Sequence, residues 1–377
     1  MLSRSRSPET MKLDSQRRRF GLVLVAGISL LVALWTGLAR LGWTLPVPSE
    51  RLPALHGQLM ITGFLATLIG LERAVALDRY WPYGVPIFTA LATVALVAGL
   101  PLAIAALSAG MGSLVLAAVF ASLYRRYPSE HFITMTLSAL SWFLGNLLWL
   151  SGASLYEIAP WWTGFLVLMI AGERLELSRI VRLSYRSRIL FFLANGLVLL
   201  GLGLSLVAKE STAIRLGGLG IVSLSLWLIR YDIAWRNAGR SGLPRFMAVA
   251  LLLGYLWLGF GGFLWTVYAD FFTAGPEYDA MLHSIFLGFV FSMIFAHGPV
   301  IFPSITGIVI PFRNSFYLHL ALLHASLALR IFGDFQETAA LRQWGGLLNV
   351  AAILLFLANN VWAATHVKRI SMTARES

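Results

Sequence analysis

The segments GFLATLIGLER (63–73), GFLVLMIAGER (164–174) and GFVFSMIFAHG (288–298) read as three copies of one helix. Each opens on Gly-Phe, carries an isoleucine six residues after the glycine, and has a titratable group at its tenth position: Glu72, Glu173 and His297. Around them, apolar stretches of about 20 residues, the length a bilayer crossing needs, fall at 21–40, 53–71, 83–100, 102–124, 131–151, 158–175, 189–208, 213–230, 246–268, 280–298, 315–332 and 344–365. The three copies occupy the second, sixth and tenth of these spans. The chain therefore divides into three four-helix units, 21–127, 128–240 and 241–366, inside one twelve-helix transmembrane domain over 21–366. A basic tail (1–20) precedes it and a short polar tail (367–377) follows. The fourth helix of each unit opens on close glycines: Gly110 and Gly112, Gly217 and Gly218, Gly345 and Gly346. Short apolar matches also arise by coincidence between helices of biased composition. The equal spacing in helix count is what favours a repeat.

Composition excludes a soluble protein. The chain is 58% hydrophobic and 12% charged, with mean hydropathy +0.77, more apolar surface than a soluble fold of this size hides. The expected class is an all-α polytopic membrane protein in a lipid bilayer. Cysteine is absent, which excludes disulfides, thiolate metal sites and covalent haem attachment through C-x-x-C-H. The net charge of +12 reports topology and implies no nucleic-acid partner. With the N-terminal tail inside, 23 of the 29 Lys/Arg lie on that side, and the exceptions are Arg40, Arg51, Lys209, Arg215, Arg330 and Arg342. This bias places both termini in the cytoplasm, and the expected location is a bacterial-type inner (plasma) membrane. Trp43, Trp149, Trp161, Trp162, Trp265 and Trp344 fall at the outer ends, as an interfacial belt would. The first twenty residues read as a cytoplasmic tail and not as a cleaved signal.

Seven histidines occur, and their depths carry information. His56 lies about one turn below the outer end of the second span, and His283 at a similar depth in the tenth. Two helices then present one imidazole each at one level, the arrangement that clamps a haem iron in a helical bundle. The plainer reading is a pair of helix caps at the headgroup level. His297 follows His283 by fourteen residues, ~21 Å along the helix and within ~40° of the same face, so one face can reach an outer and an inner site. His319 enters the eleventh span from the inner side and reaches the depth of His297, which makes the two candidates for an inner metal site. Intramembrane ionisable groups are functional by default, so His297 is either a ligand or a proton carrier. His324 lies ~140° round the helix from His319 and suits an interhelical hydrogen bond. His131 and His366 read as interfacial. Arg51 and Arg40, outside and near His56, suit either haem propionates or lipid headgroups. Glu72-Arg73 and Glu173-Arg174 sit at the inner level of His297, either as ion pairs between helices or as ends of proton paths. Pro299 and Pro303 should bend or end the tenth helix just after His297.

Three runs carry a family resemblance: LHGQLMITGFLATLIG (55–70), HSIFLGFVFSMIFAHGPVIFPSITG (283–307) and YLHLALLHASLALRIFGD (317–334). They resemble segments of the NnrS family, twelve-span membrane proteins associated with the nitric oxide response that hold haem and copper. The layout is more distantly similar to subunit I of the haem–copper oxidases. The resemblance implies His56 and His283 as haem-iron ligands and His297 in a second metal or haem site. Two departures stand out. Spans six and seven contain no histidine and no two histidines are adjacent, so a three-histidine copper centre of the oxidase kind cannot be assembled and proton-pumping oxygen reduction is not expected. The second histidine is followed by Gly298-Pro299, where NnrS proteins have Gly-Arg.

The expected function is therefore an NnrS-like, haem-b-binding membrane protein that binds nitric oxide or another diatomic ligand, or relays electrons. Copper is a candidate second cofactor, and an electron donor or a second copy of the chain a candidate partner. A haem-dependent oxidoreductase is one form this could take. Two other classes stay open. Secondary transport suits twelve helices with buried charges, although transporters usually repeat as two halves or inverted pairs. A non-catalytic subunit of a larger membrane complex is permitted by the short loops.

Overall fold

The computed structural model describes residues 8–181, 183–208 and 211–373. Among them there is no strand. Twelve apolar helices follow one another: α1 (Arg19–Arg40), α2 (Leu52–Leu77), α3 (Trp81–Val97), α4 (Leu102–Arg126), α5 (Glu130–Leu150), α6 (Leu155–Leu177), α7 (Tyr185–Val207), α8 (Ser211–Tyr231), α9 (Leu243–Val267), α10 (Pro276–Thr306), α11 (Phe316–Phe335) and α12 (Ala339–His366). Eleven are long and apolar enough to cross a membrane, and α3 is the shorter exception. The protein is an all-α, multi-pass membrane protein whose exposed apolar surface calls for a bilayer. The break between α3 and α4 falls at Gly99-Leu100-Pro101, where Gly99 has φ +70° and Pro101 caps the next helix. The left-handed turn needs glycine there, and proline cannot continue the preceding helix.

The helices differ in burial according to their place in the repeat. Of their most apolar windows, 61% is buried in α2, 83% in α6 and 67% in α10, against 33–50% in the other long helices. The three repeated segments thus form the inside of the molecule, and the remaining helices present leucine and isoleucine outward to lipid. Glycines bring the third and fourth helices of each unit to close approach. A Cβ on Gly112 would lie 3.5 Å from Thr89, one on Gly201 would lie 2.5 Å from the nitrogen of Gly217, and one on Gly345 would lie 2.6 Å from the nitrogen of Arg330. Small residues at such contacts are what membrane helices use in place of a hydrophobic driving force.

Two further features were not legible beforehand. α2 widens into a π-helix over Leu59–Ala66, and α10 does so over Ser284–Phe291. Both segments run from four residues before the first glycine of the repeat to three after it. In α6 the same stretch stays α-helical, with Pro160 inside it. The tryptophans also correct the expected interfacial belt, because Trp149, Trp161, Trp162 and Trp265 are buried. An indole brings a large apolar face and one donor, and a buried acceptor satisfies both needs: Trp162 donates Nε1 to Asn146 at 3.1 Å. Trp43 and Trp344 pack edge to face at 5.5 Å, and Trp344 is exposed.

Candidate functional site

His56 follows a short 3-10 turn, Leu52–Leu55, that carries Pro53. His283 lies two turns into α10, which Pro276 opens. The two rings approach to 6.5 Å between centroids, with their planes 28° apart. His56 Nδ1 is 2.7 Å from the carbonyl oxygen of Ala33 in α1. His283 Nδ1 is 2.9 Å from the carbonyl oxygen of Asp279 and 3.2 Å from its Oδ1. These oxygens can only accept, so each Nδ1 donates, and in the neutral ring the lone pair is on Nε2. A free Nε2 opposite a hydrogen-bonded Nδ1 is the form in which imidazole binds metals.

Both rings line a cavity of about 380 Å³ between α1, α2, α6, α10, α11 and α12. Its walls are apolar, with Met60, Leu65, Trp162, Phe286, Phe291 and Ile353, while Arg40, Arg330 and Arg342 line it from the helix ends nearest the histidines. That volume is in the range of small-molecule and cofactor sites. Arg330 donates from Nε and Nη2 to the two carboxylate oxygens of Asp279, each at 2.7 Å. Gly37 makes room for the His56 ring, since a Cβ there would lie 2.8 Å from His56 Cε1.

The separation of the two rings can be compared with that of two imidazoles on one metal ion. Metal–imidazole bonds of ~2.0–2.1 Å, with about 1.1 Å from nitrogen to ring centre, separate two axial rings by ~6.3 Å. The observed centroid distance of 6.5 Å is of that size. The cavity is apolar along its walls and carries Arg40, Arg342 and the Arg330–Asp279 pair at one end.

The other histidines are committed elsewhere. His297 donates Nδ1 to the carbonyl of Met293 at 2.8 Å, and its Nε2 faces Arg174 Nη1 at 3.4 Å. His319 is fully buried beside Phe295, Phe316 and Phe356. Its Nδ1 accepts from Asn359 at 3.0 Å, which leaves the proton on Nε2. His324 Nδ1 accepts from Trp257 at 2.9 Å, and His131 Nδ1 is 3.0 Å from Arg179 Nη2. No hydrogen bond, ion pair or ring contact among the described residues joins His297 to His319. Nor is any group of three or more His, Asp or Glu among those residues placed to hold a metal ion. Arg51 is exposed and does not line the cavity, whereas Arg40 does.

At the opposite end of α2, α6 and α10 the polar groups pair with one another. Arg73 bonds Glu173 and lies 3.8 Å from Glu72. Arg174 makes a buried two-pronged pair with Asp232, Nε to Oδ2 at 2.7 Å and Nη2 to Oδ1 at 2.9 Å. The eleventh residue of each copy therefore meets the tenth of the next: Arg73 with Glu173, and Arg174 with His297. The third copy has Gly298 in that position and has no side chain to offer Glu72.

Sequence reading passed over Asp279, Arg330, Arg342 and Asp232. Asp279 carried a usable signal, because a residue four before His283 shares its helix face. The other three reach their partners from distant spans, and no local spacing announces them.

Comparison with curated proteins and with solved structures finds no match in either set. A family model does match, over residues 19–365, which takes in all twelve helices but for the last residue of α12. The chain belongs to the family described as Domain of unknown function (DUF8744).

Proposed function

We propose that the chain is a haem-b-binding membrane protein that relays electrons, in which His56 and His283 would together hold the haem iron. The 6.5 Å approach of two imidazoles with Nε2 lone pairs, lining one cavity, carries this reading. A bound haem b would supply a reversible one-electron couple. The chain's own residues supply the rest. Ala33 and Asp279 hold the rings in the metal-binding tautomer, and Met60, Leu65, Phe286 and Phe291 wall the porphyrin plane from water. Arg40 and Arg342 would hold the propionates by charge-assisted hydrogen bonds.

With both imidazoles committed to the iron, the site would favour electron relay over nitric oxide binding. Copper is not carried forward, because the Nε2 of His297 faces Arg174, the Nε2 of His319 carries the proton, and the two rings do not meet. With the basic segments inside, the histidine end faces outward from a bacterial-type plasma membrane.

The test is the absorption spectrum of the detergent-purified full chain, oxidised and reduced, after expression with ample haem. The expected result is a low-spin α band with one haem per chain, absent from His56→Ala and from His283→Ala while both variants stay monodisperse. A colourless wild type, or a low-spin band that survives both substitutions, overturns the reading.

A further inference from the structure

We infer that Asp279 sets the electron-donating strength of His283, so that the two imidazoles of the pair are electronically unequal. The inference rests on the haem reading above and concerns what the chain does to one ligand.

The two Nδ1 atoms have different acceptors. His56 donates to a neutral peptide carbonyl, that of Ala33 at 2.7 Å. His283 has, besides a carbonyl, the Asp279 carboxylate at 3.2 Å. A charged acceptor draws the Nδ1 proton more strongly than a neutral one, and that raises the basicity of Nε2 toward a metal. His283 is thereby the stronger donor, and a stronger donor favours the ferric over the ferrous state.

The carboxylate is held in place. Asp279 and His283 are four residues apart on one helix and share a face. Arg330 grips both oxygens of Asp279 at 2.7 Å, and its side chain is only 9% exposed. The α11 backbone at Arg330 is fixed in turn, since Gly345 of α12 leaves no room for a Cβ there. The guanidinium also draws on the carboxylate charge, so it moderates the pull on His283. Asp334, fully buried on α11 with Arg342 Nε at 4.0 Å, lies in the same charge cluster as Asp279 and Arg330.

The experiment is an equilibrium redox titration of the haem-loaded full chain, with the low-temperature EPR spectrum of the ferric form. Asp279→Asn keeps the shape and removes the charge. It should raise the reduced-to-oxidised ratio at fixed potential about tenfold, an upward midpoint shift of about 59 mV for a one-electron couple, and should shift the EPR g values. Arg330→Gln should move the midpoint downward.

An unshifted midpoint in Asp279→Asn overturns the inference. So does a shifted midpoint in Asp279→Asn with unchanged g values. Should Asp279→Asn fail to fold, the sign for Arg330→Gln decides: no shift or an upward one overturns the inference. A wild type without haem removes the haem reading itself, whereas a haem-loaded wild type with an unshifted Asp279→Asn removes only this inference.

Discussion

The two ends of the buried helices α2, α6 and α10 handle polar groups in opposite ways. At the end that carries Arg73, Glu173, Arg174 and Asp232, the charges are matched to one another, Arg174 and Asp232 fully buried and Arg73 and Glu173 partly so. At the end that carries His56 and His283, hydrogen bonds tie up one nitrogen of each ring and leave the other toward a shared cavity. A self-satisfied network holds helices together. A set of groups each satisfied on one side only, converging on one volume, is built to receive something. The repeat makes the contrast sharper, because one ancestral pattern would supply both ends of the same three helices.

Substitutions at the two ends should therefore separate stability from cofactor binding. The largest effect is expected at the ion-pair end. Arg174→Ala strands the buried Asp232 carboxylate and should cost about 3–5 kcal/mol, read as a large drop in thermal unfolding temperature in detergent. A drop no greater than that of an exposed substitution would break the contrast. Next comes Gly37→Ala, whose Cβ would lie 2.8 Å from the His56 ring. Overpacking of this kind costs typically 1–3 kcal/mol, and here the loss should show chiefly as a lower Soret-to-protein ratio. An unchanged ratio would mean that the ring position does not matter.

Smaller effects are expected at the cationic rim. Arg342→Ala removes one anchor of a bound propionate and should weaken haem retention by on the order of 1 kcal/mol, about fivefold faster transfer to a haem-scavenging protein. Transfer at the wild-type rate would take Arg342 out of the site. Arg51→Ala should change neither pigment nor unfolding by more than about 0.5 kcal/mol, since Arg51 is exposed and away from the cavity. Pigment loss there would move the rim.

What was legible in the sequence follows the same division. Span positions and the depth of a residue along its helix can be counted, which is why His56 and His283 could be paired in advance. The direction of a side chain at a helix end cannot be counted. Arg40 and Arg51 look equivalent from spacing, yet only Arg40 lines the cavity. Tryptophans at helix ends look interfacial until a buried acceptor such as Asn146 is found for one of them. His297 and His319 fall at one depth, but depth does not reveal that Arg174 and Asn359 already hold their nitrogens. The matched π-helices after His56 and His283 have no residue signature in either segment, since Leu59–Ala66 and Ser284–Phe291 share little beyond Gly-Phe.

The central claim is that His56 and His283 hold one iron from opposite faces, and the low-temperature EPR spectrum of the oxidised full chain tests it most directly. The account predicts one low-spin ferric haem per chain, whose signal disappears in His56→Ala and equally in His283→Ala. A high-spin signal in the wild type, or a low-spin signal that survives either substitution, would contradict it.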